Sequence, residues 1–366
     1  MVCSSSGVSV RPLAYAGIEK SPLWLLSRLH SRAPRHPSTR GFGGWLRQRG
    51  RCRRAFRVPC ALHARIPTRV AGARLSCVQA SGLKKKKTRV LEDTAMTLPT
   101  WQFFQVRLDG PVAWIMLAQP QQANALGAAF WDELPQVVAW LNRCDALRVA
   151  VLAAEGRHFC GGITLDLLES VLAMMKAAEA PEDGRERVRD EIFRMQASIS
   201  SLELLRVPVI AAVHGACIGG GVDLIAACDM RYAAADARFC IKEVDLGIVA
   251  DVGTTQRLRH VIGLAALTEL SFTAETFDAA KAERLGLVGA VLADREALLA
   301  HVAALAGTIA AKPARAVRGI KQSLLYARDH TVAQGLVQAA EWNATLGFSP
   351  NMDALLAPLR ARTRKS

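Results

Sequence analysis

Val207–Leu258 reads VPVIAAVHGACIGGGVDLIAACDMRYAAADARFCIKEVDLGIVADVGTTQRL, and its order of apolar runs, glycines and acids decides the fold. Val207–Val213 is an apolar, β-branched run bounded by Pro208 and by His214-Gly215, as a strand buried on both faces is. Gly219, Gly220 and Gly221 follow, and Val222–Cys228 then has helical apolar spacing. A strand that feeds a glycine turn and then a helix leaves unpaired N–H groups at the helix start. Such a nest binds an anion or stabilises an oxyanion. Three acids for which the fold shows no obvious need stand around it: Asp223, Glu243 and Asp251.

Working outward, Phe103–Leu108 and Val112–Leu117 alternate around Asp109-Gly110-Pro111 and predict a hairpin. Gln119–Leu126 reads as a loop into a helix over about Ala128–Cys144, which Pro135 is expected to end or kink. Arg148–Ala154 reads as a buried strand, Glu155–Ile163 as a loop carrying Gly161-Gly162, and Leu165–Lys176 as a helix. After a polar break at Ala180–Gly184, Arg185–Leu205 reads as an amphipathic helix with Ile192, Met195, Ile199, Leu202 and Leu205 on one side. Beyond the central stretch, short strands are expected near Met230–Ala233 and Arg238–Ile241. Helices follow near Thr255–Ile262, Ala265–Phe272 and Ala279–Gly286, then a strand at Leu287–Leu292. Arg295–Leu346 reads as helical, with Pro313 in a first turn. Strands alternating with helices predict an α/β fold of parallel βαβ units. The expected division is a leader (1–95), a core domain (96–295) and a C-terminal helical region (296–366).

Of the 366 residues, 51% are hydrophobic, enough for a sizeable core, yet no window approaches the ~18 to 20 apolar residues of a membrane span. The net charge of +15 is localised. Met1–Ala95 holds 20 of the 47 Lys and Arg residues and only three acids, Glu19, Glu92 and Asp93. From Met96 onward 27 bases face 29 acids, so an argument for nucleic-acid binding applies to the leader alone. The five body cysteines, Cys144, Cys160, Cys217, Cys228 and Cys240, form no CxxC pair and sit in apolar contexts. They predict a reducing compartment with neither structural disulfides nor a metal site.

The leader is Arg- and Ser-rich, poor in acids and ends in Lys84-Lys85-Lys86-Lys87. It reads as a transit segment, as a basic arm for nucleic acid or an anionic surface, or as residues ahead of the true start. The last reading is preferred. Met96 opens a stretch like a natural amino terminus, and Leu91-Glu92-Asp93 is compatible with a ribosome-binding run just before it. Translation from Met96 in a bacterium implies a cytoplasmic protein; a transit segment implies the mitochondrial matrix. Intact mass separates the two, and either way the leader is expected to be disordered.

Three motifs carry a resemblance: His158-Phe159-Cys160-Gly161-Gly162-Ile163, HGACIGGGVDL over His214–Leu224, and KEVDLGIVADVG over Lys242–Gly253. By these the chain resembles the crotonase (enoyl-CoA hydratase/isomerase) superfamily over Thr100–Leu346, and in its acids the branch that isomerises 3,5-dienoyl-CoA. The resemblance implies a spiral of ββα units with C-terminal helices that drive trimer formation, trimers pairing into hexamers. It implies an oxyanion hole from the backbone N–H groups of Ile163 and Gly220, with Gly162, Gly219 and Gly221 against the substrate. The hydratases carry Glu where this chain has Asp223, and a small residue near Asp251. The set Asp223, Glu243 and Asp251 implies that Asp251 takes the C2 proton, Glu243 delivers one at C6, and Asp223 orients or polarises the site. Coenzyme A is part of the substrate, and no metal or redox cofactor is implied.

Departures accompany it. Thr164 stands where the family often has Asp, and Gln119–Asn124 lacks the basic residue often found near CoA phosphates. Lys321 and Arg318 are the candidates for those contacts. Structural explanations also exist for each acid singly. Asp223 fits a first helical turn, Glu243 a surface pair with Arg238 or Lys242, and Asp251 a helix cap. The glycines equally fit close packing. His214 is expected to be structural, Cys160 and Cys217 unactivated, Trp342 and Tyr326 core or subunit contacts, and Arg328-Asp329 a solvated or interface charge pair. The rival activities are enoyl-CoA hydration or another acyl-CoA reaction and, in another class, RNA binding through the leader. RNA binding would weaken steeply with salt and vanish without residues 1–95.

Overall fold

A computed structural model describes residues 99–177, 180–346 and 352–363. The expectations for the leader lie outside the described residues. The strands are β1 (Phe104–Asp109), β2 (Val112–Leu117), β3 (Val149–Ala154), β4 (Val209–Val213), β5 (Ala216–Ile218), β6 (Met230–Ala234), β7 (Arg238–Cys240), β8 (Phe277–Asp278) and β9 (Val291–Leu292). The helices before the central glycines are α1 (Ala128–Asn142), α2 (Leu165–Lys176) and α3 (Pro181–Glu203). After them come α4 (Gly220–Ala226), α5 (Thr254–Leu258), α6 (Leu264–Thr273) and α7 (Ala279–Arg284). The chain continues through α8 (Arg295–Ala310), α9 (Ala314–Ala327), α10 (Val332–Leu346) and α11 (Met352–Thr363).

One six-stranded sheet has the order β1-β2-β3-β4-β6-β9, parallel except for the β1–β2 hairpin. A second, smaller sheet runs β5-β7-β8. The strict alternation of β3 explains its continuous apolar run. Val149, Val151 and Ala153 meet Leu298, Val302 and Ala306 of α8. Ala150, Leu152 and Ala154 face the larger core, with Phe130 and Trp131 of α1 and Ile199 and Leu202 of α3. Among the described residues no single helix is long and apolar enough to cross a membrane.

Several boundaries differ from expectation. α3 begins at Pro181, so the expected polar break is its first turn, with Pro at the start and Glu182 and Asp183 favoured by the helix dipole. α1 runs through Pro135 to Asn142, because seven buried side chains hold it against the core. The helix expected at Thr255–Ile262 stops at Leu258, and the strand expected at Leu287–Leu292 is only Val291–Leu292. β5 and β8 had no counterpart in the sequence reading, while α11 falls in the C-terminal region expected to be helical, without bounds of its own there. α8, grouped there with the C-terminal helices, is one face of the sheet's packing.

Candidate active site

The turn after β3 is zipped on both sides. Cys160 N–H donates to the Ala216 carbonyl at 2.9 Å and Ile218 N–H to that of Cys160 at 3.0 Å. Across the turn, Gly161 N–H donates to the Ala123 carbonyl, Leu126 N–H to that of Gly162 and Thr164 N–H to that of Leu126. In a strand-like bridge successive backbone groups point to opposite sides. Because Gly162 and Thr164 engage Leu126, the N–H of Ile163 faces the other way. The supporting loop is fixed by Asn124, fully buried with φ +53, whose Nδ2 donates to the carbonyls of Glu155 and His158. Thr164, the departure from the family pattern, caps α2: its Oγ1 accepts Leu167 N–H at 3.3 Å.

The three central glycines have different reasons. Gly219 adopts φ 50, ψ −116, and an added Cβ would lie 3.1 Å from Glu243 Oε1. Gly220 is the first residue of α4, where helical N–H groups have no partner inside the helix. Gly221, expected against the substrate, lies outside the cavity lining. Its Cβ would stand 2.8 Å from Cys160 Cβ, so it is a packing glycine.

Asp223, Glu243 and Asp251 line one cavity of about 280 Å³, together with Gly162, Ile163, Gly219 and Gly220. Asp223 is buried in the first turn of α4, and its Oδ1 accepts the Thr254 N–H at 2.6 Å. Burial pushes its carboxyl up to about 7, against the bond from Thr254, and the charge of Glu243 adds to the rise. Glu243, in a short 3₁₀ turn (Glu243–Leu246), is raised by burial and further by the charge of Asp251. Its Oε2 has no hydrogen-bond partner among the described residues. The pairing expected of a surface Glu243 is absent there: Lys242 holds Asp245, and Arg238 donates to the carbonyls of Ala235 and Ala237. Burial likewise raises Asp251. Asp251 caps no helix, since the cap position of α5 is Gly253.

The far wall is apolar. Leu168, Val171, Leu172 and Met175 from α2 face Val188 and Ile192 from α3. A cavity with acids and N–H groups at one end and hydrocarbon along its walls suits a polar head with an apolar tail.

Other candidates fall elsewhere. Lys321, a candidate for CoA phosphates, is buried, and its Nζ donates to Asp229 Oδ2 at 2.9 Å and to the Val207 carbonyl at 3.0 Å. Its charge is thereby committed inside the fold. Arg318 does not line the acid-bearing cavity; burial and the neighbouring Arg206 and Arg148 lower its pKa. His214 is buried with Nε2 2.9 Å from the Gly156 carbonyl. Burial pushes the Cys160 thiol up to about 12 and that of Cys217 well above the usual range, which disfavours thiolates. Arg328 pairs with Glu203 rather than Asp329. Trp342 covers Gly319, and Tyr326 stacks on His330. The sequence reading missed Thr254, Gln196 and Arg257. Each acts across more than 30 residues, and no local pattern announces such a pair.

The fold is that of a known class. The enoyl-CoA hydratase/isomerase family profile matches residues 108–347, and the chain belongs to that family. The peroxisomal Delta(3,5)-Delta(2,4)-dienoyl-CoA isomerase of Arabidopsis thaliana is 40% identical over 260 residues, spanning 71% of this chain and 94% of the relative. The mitochondrial Delta(3,5)-Delta(2,4)-dienoyl-CoA isomerase of Homo sapiens is 42% identical over 233 residues, spanning 63% and 71%. A protein from Thermobifida fusca YX assigned as an enoyl-CoA hydratase, solved with acetoacetyl-CoA, superposes with a TM-score of 0.59 at 32% identity. The match covers 66% of this chain and 94% of that one.

Proposed function

We propose that the protein isomerises 3,5-dienoyl-CoA to 2,4-dienoyl-CoA in the breakdown of unsaturated fatty acids. The observation that carries this reading is the convergence of three carboxyl groups with raised pKa on one apolar cavity. Its similarity to the two dienoyl-CoA isomerases supports the same reading.

In this mechanism the thioester oxygen lies between the N–H groups of Ile163 and Gly220. Asp251 removes a C2 proton, and the C2–H electron pair enters the diene system as charge builds on that oxygen. Each N–H strengthens its bond as charge develops, and losing one such donor typically costs ~3 kcal/mol of barrier. Glu243 then delivers a proton to C6, leaving double bonds at C2 and C4. Net, one proton has left C2 and one has arrived at C6, with no oxidant or reductant needed. Asp223 lines the same cavity, held by Thr254, and is electrostatically coupled to both acids, so it orients or polarises the site in which they act.

Following absorbance as the 2,4-diene conjugates with the thioester tests the reading on the full chain. A fast rise is expected with purified 3,5-dienoyl-CoA. No rise, with conversion of crotonyl-CoA instead, would replace isomerisation by hydration.

Two coarser features belong to the same proposal. Ile320 and Leu324 of α9 and Leu336 and Val337 of α10 are exposed, an apolar surface that supports a homotrimer or a hexamer of paired trimers. Light scattering on the purified chain checks it, and a monomer would refute it. The Arg- and Ser-rich, acid-poor leader and the mitochondrial name of the human relative support import into the mitochondrial matrix over cytoplasmic placement. Uptake of the full chain by isolated mitochondria is expected, and its failure would reverse that placement.

A further inference from the structure

We infer that Arg257, which does not itself line the acid-bearing cavity, is a positioning residue for Asp251. The inference rests on the role given to Asp251 above. Asp251–Gly253 belongs to no helix or strand, so the segment does not place its own side chain. It lies between the apolar cavity and a second, polar one of about 430 Å³, and Asp251 lines both. Side chains across the polar cavity hold its backbone at two successive carbonyls. Gln196 Nε2 donates to the Asp251 carbonyl at 2.6 Å, and Arg257 Nη1 to that of Val252 at 3.1 Å.

Arg257 is itself locked. Its Nη2 donates to Ser200 Oγ at 2.9 Å, and its Nε lies 3.4 Å from the Glu203 carboxylate. Glu203 in turn is ion-paired with Arg328 at the end of α9. The rigid fork thus ties the Asp251 segment to α3, in a way a single ammonium could not reproduce. Gly253 belongs to the same arrangement. With φ +129, it leaves the space in which an added Cβ would lie 1.6 Å from Arg257 Nη1. The spacing Asp251-Val252-Gly253-x-x-x-Arg257 therefore works as a unit: the base, the residue held, the space left and the group that fills it.

The test compares full-length wild type, R257Q, R257K and Q196A. Measurements are turnover of 3,5-dienoyl-CoA, affinity for the saturated octanoyl-CoA, Tm, and amide exchange in a peptide covering residues 250–256. R257Q is expected to lose roughly 10- to 100-fold in kcat, the usual cost of a base displaced by about 1 Å. Its octanoyl-CoA affinity should change by less than about threefold, since uniform binding is untouched. Exchange in the peptide should quicken. R257K keeps the charge opposite Glu203, so its Tm should stay nearer wild type while the kcat loss persists. Q196A should show a smaller loss of the same kind. Wild-type kcat in folded R257Q overturns the inference, and so does full restoration of kcat in R257K, which would leave Arg257 only balancing the charge of Glu203. If R257Q does not fold, unchanged kcat in both R257K and Q196A overturns it. A wild-type chain that turns over no 3,5-dienoyl-CoA refutes the assigned function and this inference with it.

Discussion

The Asp223 carboxylate accepts the Thr254 N–H at 2.6 Å, so an acid in the first turn of α4 closes the open N-terminus of α5. A buried carboxyl would ordinarily be neutral, yet here the ionised form has a donor waiting. Burial wins: the pKa rises from 3.8 to about 7. The folded state therefore keeps a proton that the unfolded chain has lost across that window. Stability from this group is present below about pH 4 and falls as pH rises towards 7, by on the order of 4 kcal/mol at most. Asp223→Asn cannot titrate. Urea unfolding at fixed protein concentration should show the variant gaining on wild type between pH 4 and 7. Parallel pH profiles for the two would refute the burial of an ionisable Asp223.

Asp251→Asn keeps the shape of the base and removes its basicity. Isomerisation is expected to fall by roughly 10²- to 10⁴-fold, the span of general-base contributions. Octanoyl-CoA binding and Tm should change little, because the carboxyl of Asp251 caps no helix. Unchanged turnover in this variant would remove Asp251 from the reaction.

Glu243→Gln separates the two proton transfers. It leaves the base intact, so exchange of the C2 proton with deuterated solvent should persist while product formation stops. In the wild type kcat/KM should rise as Asp251 loses its proton and fall as Glu243 loses its own. Both limbs should lie above the ordinary carboxylate range, since burial raises both groups. In Glu243→Gln the falling limb should disappear from whatever activity remains. A falling limb that persists unchanged would assign the acid elsewhere.

Much of this was legible in the sequence because the relevant signals are local. β3 could be read from six consecutive small or branched apolar residues, and α2 was expected over Leu165–Lys176, as the structure bounds it. The three acids stood out because a polar residue beside glycines in an apolar stretch has few structural uses. What was not legible depends on distance or on competition. β5 and β8 have three and two residues, too short to show a period. Pro135 would break an isolated helix, but burial of Phe130, Trp131, Leu134, Val137 and Val138 outweighs one missing backbone bond. Lys321 looked like a surface base because nothing near it in sequence reveals Asp229, 92 residues away.

The first of the central glycines makes one prediction sharper than its neighbours do. Gly219→Ala must place a Cβ at φ 50, ψ −116, a region disfavoured for any L side chain, and 3.1 Å from Glu243 Oε1. The strain alone is worth about 1–3 kcal/mol. Gly263→Ala is the control: it shares positive φ, at +76, but has nothing within 4 Å of the added carbon. Both variants should lower Tm. Only Gly219→Ala should also lose turnover per folded molecule, because its methyl group presses on the proposed C6 acid and stands beside the Gly220 N–H. Equal turnover per folded molecule in the two variants would mean that Gly219 serves backbone geometry alone and that Glu243 tolerates displacement.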